Sequence, residues 1–228
     1  MSTAGRLAEP QVEAMFDRIA SVYDLMNSVM TAGMHQRWRE RAVDLAGVGP
    51  GSRALDVATG TGDLAIALRD RGADVVGMDF AEKMLEIARQ KAPEIDFRTG
   101  NALALDFPDD EFDAATVGFG ARNFDDLDRG LAEMARVVKP GGRVVVLEIT
   151  TPQKPPLSLF FQLWFDHLVP LIGRVAADPE AYVYLPNSVK RFPGPPDLAG
   201  RMVAAGMTDL RWILTAGGII AIHAGTVA

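Results

Sequence analysis

From Ala54 to Ile149 the chain alternates short β-type runs with stretches whose apolar residues recur at helical spacing. The runs are Ala54–Val57, Val75–Met78, Ile95–Arg98, Ala114–Val117 and the β-branched Arg143–Ile149. Between them Leu64–Leu68, Met84–Ala92 and Leu127–Val138 predict helices; Pro93 stops the second, and Lys139-Pro140-Gly141-Gly142 predicts a turn after the third. Short strands joined by helices predict a parallel sheet covered on both faces. Upstream, Val12, Met15, Phe16, Ile19, Ala20 and Tyr23 predict an amphipathic helix behind Pro10. A second helix runs through Trp38 and Leu45 to the Gly49-Pro50-Gly51 break. Beyond Pro152 and Pro155-Pro156 lies a long apolar segment, Leu157 to Val175, which Asp166, His167 and Pro170 interrupt too often for it to span a bilayer unaided. After Phe192-Pro193-Gly194-Pro195-Pro196 come a helix, Asp197–Ala205, and two strands, Leu210–Leu214 and Ile219–Ala224. The Ala216-Gly217-Gly218 link between these strands predicts a hairpin.

The expected architecture is one α/β domain with a Rossmann-like, seven-stranded, mostly parallel sheet ending in an antiparallel hairpin. Residues 1–48 form an N-terminal helical lid, 49–151 the core, 152–196 an apolar helical cover, and 197–228 the helix and hairpin that complete the sheet.

Asp56-Val57-Ala58-Thr59-Gly60-Thr61-Gly62-Asp63 joins the first strand to a helix. Gly60 and Gly62 let the backbone approach a ligand, and the helix start offers unpaired N–H groups. Alone, such a turn is as often a plain connection. Asp79, at the end of the second strand, sits where a ribose diol would be received. Both features suit a dinucleotide-binding fold and the class I methyltransferase fold. Two observations favour the methyltransferase: Gly60-Thr61-Gly62-Asp63-Leu64-Ala65 lacks the third glycine that lets a helix pack under a pyrophosphate, and a terminal antiparallel pair fits that topology.

Two blocks resemble the ubiquinone/menaquinone biosynthesis C-methyltransferases. Tyr23-Asp24-Leu25-Met26-Asn27 with Met30, Thr31, His35 and Trp38 is similar to the first signature, and Arg136-Val137-Val138-Lys139-Pro140-Gly141-Gly142 with Glu148 and Thr150 to the second. Thr31 and Thr150 stand where the family usually has serine. Gly100-Asn101-Ala102, Phe119-Gly120-Ala121-Arg122-Asn123, Tyr182-Val183-Tyr184-Leu185-Pro186 and Leu214-Thr215-Ala216-Gly217-Gly218 with His223 extend the resemblance from about Met15 to Gly225. It implies S-adenosylmethionine as cofactor, with a pocket made of Thr61, Asp79, Asn101 and Ala102 and shaped by Asp56, Gly60 and Gly62. Gly118 stands where a serine is common, so only its backbone is expected to make contact. The implied acceptor is a prenylated quinol: demethylmenaquinol, or the benzoquinol precursor of ubiquinone.

Methylation at a ring carbon needs an electron-rich hydroquinol that loses a phenolic proton. Arg122 as a fixed charge and His35 as proton acceptor are the alternatives. Each also has a structural reading: His35 packing beside Trp38, Arg122 pairing with Asp125 or Asp126 at the surface, Tyr23 in a core rather than in a lid. His167 and His223 read as structural. The aromatic-rich run through Phe160, Phe161, Trp164 and Phe165 reads partly as core and partly as an apolar entrance touching lipid or a homodimer partner.

At 228 residues and 48% hydrophobic the chain can bury a large core. With no cysteine and three scattered histidines, no metal site is expected. A net charge of −7 argues against nucleic acid as a partner. Met1 to Glu9 has neither an apolar signal core nor an Arg-rich transit pattern, and a cytoplasmic protein is expected.

Overall fold

The computed structural model describes residues 9–31, 33–152, 155, 157–163 and 179–228. Trp164, Phe165, Asp166, His167 and Leu168, to which the sequence assigns the middle of the cover, lie outside the described residues.

Among the described residues seven strands form one sheet, in the order β3-β2-β1-β4-β5-β7-β6. Strands β1 (Arg53–Val57), β2 (Asp74–Asp79), β3 (Asp96–Thr99), β4 (Phe112–Gly118) and β5 (Val138–Ile149) are parallel. Strand β7 (Ile220–Val227) runs antiparallel between β5 and β6 (Met207–Thr215). The order reverses at β1, between β2 and β4, which opens a crevice at the carboxyl ends of these strands.

Two-residue periodicity builds the two faces. Ala54, Val75, Val145 and Leu147 point to one core, with α2 (His35–Ala46), α3 (Asp63–Asp70) and α4 (Glu82–Lys91) packed over it. Leu55, Val76, Val144 and Val146 point to the other, under α5 (Leu127–Val137) and α8 (Pro195–Ala204). Helix α1 (Glu9–Thr31) lies outside these layers. Its Val12, Met15, Ile19 and Ala20 are buried with Ala81 and Met84 of the α4 region and Tyr184 of α7 (Pro179–Arg191). Short α6 (Leu157–Leu163) buries Phe161 with Val189 of α7 and leaves Leu159 and Leu163 exposed. No helix among the described residues is long and apolar enough to cross a membrane.

One element differs from expectation. Lys139-Pro140-Gly141-Gly142 does not join the helix to the strand but loops out within β5: Val138 pairs with Phe112 and Arg143 with Ala114. Gly141 turns at φ +82°, and a Cβ on Gly142 would come 2.7 Å from the Asp113 carbonyl oxygen, so glycine is needed there.

Candidate active site

Strand β1 carries Asp56 to the sheet edge, buried opposite Thr116 of β4 and Gly77 of β2. The Thr116 and Thr59 hydroxyls each donate to its carboxylate, both at 2.6 Å. Burial pushes this carboxyl up to about 6, against the lowering effect of the two hydroxyls and of Arg39. Asp79 ends β2 and accepts from the Gly60 N–H at 2.8 Å and the Ala81 N–H at 2.9 Å. Burial raises its pKa as well, opposed by these amides. The bonds accepted by both carboxylates thus come from neutral groups, and their charge is left for a ligand.

Between them runs the glycine turn. Gly60 at φ +57° has no atom within 4 Å of where a Cβ would lie. At Gly62, φ +84°, a Cβ would meet Phe97 at 2.9 Å and Ala88 at 3.1 Å. The first glycine keeps the wall open, and the second lets α3 pack on the sheet. Ala58 after β1 and Phe119 after β4 take positive φ of 52° and 60° without being glycine. Both strand ends flank the one crevice and hold a sparsely populated backbone conformation there.

The resulting cleft is lined by Asp56, Thr61, Asp79 and Gly118 together with Phe16 and Tyr23 from α1 and Arg39 from α2. Past Asp79 it continues into a recess lined by Asn101 and Ala102. The Asn101 side chain accepts from the Leu103 N–H at 2.7 Å and so shapes that loop. A Cβ on Gly118 would press on Leu64 at 3.1 Å, which leaves the backbone to face the cleft. Thr61 donates to Asp24 of α1 at 2.6 Å, and Lys91 bridges Asp24 and Asp63, so α1 is tied to the turn it covers.

His35 and Arg122, the two alternatives for proton handling, and Tyr23, expected in a core or a lid, are not brought to one place. Tyr23 lines the cleft. His35 does not: it is buried on α2, its Nδ1 2.7 Å from the Thr31 hydroxyl, and burial, then Arg39, lowers its pKa. Arg122 lines a neighbouring cavity with Tyr184 and Arg191. It pairs not with Asp125 or Asp126 at the surface but with buried Glu148, at 2.7 Å, the two side chains being 7% and 1% exposed. Asp126 instead caps α5. Burial disfavours the Arg122 charge, yet Glu148, then Tyr23 and Tyr184, raise its pKa overall. Tyr184 donates to Asn123 at 3.0 Å, and Asn123 lines the cleft, the recess and this cavity alike. His223, within β7, lies stacked on Trp212 with Nε2 3.0 Å from the Pro195 carbonyl oxygen, remote from these groups in its contacts. No metal-holding cluster occurs among the described residues.

The seven-stranded sheet with its antiparallel terminal pair, and the cleft at its switch point, are those of a class I methyltransferase, whose cofactor is S-adenosylmethionine. The chain belongs to the ubiE/COQ5 methyltransferase family, whose model matches residues 5–227. It is 48% identical to a demethylmenaquinone methyltransferase of Thermus thermophilus, over 92% of this chain and 99% of the relative. With the Deinococcus radiodurans protein of the same name identity is 46%, over 90% and 88%. Among solved structures, a SAM-dependent methyltransferase of Thermotoga maritima, described as a possible histamine N-methyltransferase, has a TM-score of 0.69 at 20% identity, covering 94% of this chain and 99% of that one. The 4+2 cyclase SpnF has 0.68 at 19%, covering 95% of each chain. At such identities the likeness shows the fold alone.

Proposed function

We propose that the protein moves a methyl group from S-adenosylmethionine to a ring carbon of a prenylated quinol, and that the quinol is demethylmenaquinol. The acceptor rests on relatives of that name, and the single observation that carries the donor side is the cleft floored by Asp56 and Asp79. In this reading Asp79 accepts the ribose hydroxyls, Asn101 and Ala102 read the adenine edge, and Asp56 faces the positive end of the cofactor. Thr61, Gly60 and Gly62 form the wall, and Gly118 offers its backbone.

When bound, S-adenosylmethionine supplies a methyl group already activated on a positive sulfur. The chain's own task is then to align, desolvate and manage one phenolic proton. Tyr23, on the cleft wall, is placed to hold the acceptor hydroxyl and pass its proton outward. Arg122 stays protonated behind it and favours the phenolate by its charge; it is no base. His35, outside the cleft lining, supports the α1–α2 turn through Thr31.

A prenylated acceptor dissolves in lipid, so we assign the exposed leucines of α6, Leu157, Leu159 and Leu163, to an apolar entrance at the inner face of the cell membrane. A homodimer through this face is the competing use, and flotation with anionic vesicles against sedimentation in their absence separates the two. Lipid-quinone mass spectrometry of a host lacking its own enzyme tests the reaction. Menaquinone restored by the gene supports it; persistent demethylmenaquinone, or restoration of ubiquinone alone, overturns the acceptor assignment.

A further inference from the structure

Among the described residues lining the donor cleft, Arg39 is the one cation. Its position is set by the residue before it. Trp38 is buried and meets Phe119 edge-on, ring centroids 6.4 Å apart, which fixes α2 against the end of β4. Arg39 then reaches the wall beside Asp56, Thr61 and Asp63 with its side chain only 11% exposed. One guanidinium nitrogen lies 3.0 Å from Asp63 Oδ2. The other oxygen of Asp63 is bonded to Lys91, so this carboxylate is shared between two cations.

S-adenosylmethionine ends in an α-amino acid, which carries a carboxylate beside an ammonium. At this end of the cleft Asp56 is complementary to the ammonium, and Arg39 is the one cationic side chain among the described lining residues to meet the carboxylate. A guanidinium fork matches a carboxylate in shape as well as charge. The geometry points to Arg39 as the residue that holds the α-carboxylate of the cofactor, with Asp63 steadying its fork. This rests on the donor reading above and assigns within it the group that makes the site select for the amino-acid half.

Calorimetry on the full chain tests it with two probes, S-adenosylhomocysteine and 5′-methylthioadenosine, the second lacking the amino-acid half. The wild type should prefer the first strongly. Arg39→Ala should weaken S-adenosylhomocysteine about ten- to a hundredfold while moving 5′-methylthioadenosine by less than about threefold, since only one charged contact is lost. Arg39→Lys, keeping charge without the fork, should fall between. Arg39→Gln, which keeps a packed stem, should repeat the alanine result if alanine lowers the melting temperature. Equal weakening of both probes, or unchanged S-adenosylhomocysteine affinity, overturns the assignment and leaves the donor reading intact. A wild type that binds neither probe overturns the donor reading, and the assignment with it.

Discussion

Two buried charge clusters occupy the carboxyl edge of the sheet and are compensated in opposite ways. Asp56 and Asp79 close neighbouring strands, and hydroxyls and backbone amides alone donate to them. Arg122 and Glu148, beyond β4 and near the end of β5, are bonded to each other and nearly sealed from water. Desolvation penalises all four charges, so the difference lies in what offsets it. The aspartates are met by neutral donors and, in the proposed function, by a positive ligand, whereas the Arg122–Glu148 pair is neutral as a unit and fixes the turn Ala121–Asn123 to β5.

Breaking one partner in each cluster should separate the two roles. The largest effect is expected for Glu148→Ala, which strands a buried guanidinium. Denaturant unfolding should show a loss of about 3–5 kcal/mol, and S-adenosylhomocysteine affinity of the folded protein should hold within about twofold. Asp79→Ala should do the reverse, lowering that affinity by about a hundredfold or more while the ligand-free melting temperature stays level or rises. If the two variants behave alike, the contrast is wrong.

A third, smaller effect concerns pH. Because burial raises Asp56 to about 6, the folded state is favoured when this carboxyl is protonated. That contribution is complete below the ordinary aspartate value and is lost as pH rises through about 6. A cationic ligand prefers the ionised form, so S-adenosylmethionine affinity should fall as pH drops below about 6, approaching about tenfold per unit, with a proton released on binding. Calorimetry in buffers of different ionisation enthalpy reads that proton. Asp79 shifts in the same direction, and the titration in Asp79→Asn isolates Asp56. The smallest expected change is Thr116→Val: about 1 kcal/mol of stability, with the pH midpoint moved upward because one hydroxyl donor to Asp56 is gone.

The placement of the proposed donor residues was largely legible along the chain, because they lie in short runs at strand ends. Asp56, the glycine turn and Asp79 follow from strand-to-turn spacing, and the strands from β1 to β5 lie within two residues of their expected bounds except where β5 continues through the looped-out Lys139–Gly142. The other half was not, since strand order creates it. Asp125 and Asp126 are nearer to Arg122 in sequence, but β4 and β5 are adjacent, which brings Glu148 to it from twenty-six positions away. Arg39 carries no motif. Helical spacing marks His35, Trp38 and Ala42 as apolar-face neighbours, and only the docking of Trp38 on Phe119 turns the next residue toward the cleft while His35 stays with Thr31.

The apolar face of α1 has a consequence for the order in which the molecule is made. Val12, Met15 and Ile19 are synthesised well before Ala81 and Met84, and long before Tyr184, yet these are the residues that bury them. While the nascent chain grows, that helix therefore has no native surface to dock on. A chain halted before Ala81 would carry a complete glycine turn under a roof fastened through Asp24 and Thr61 alone, with that apolar helix face open to chaperones.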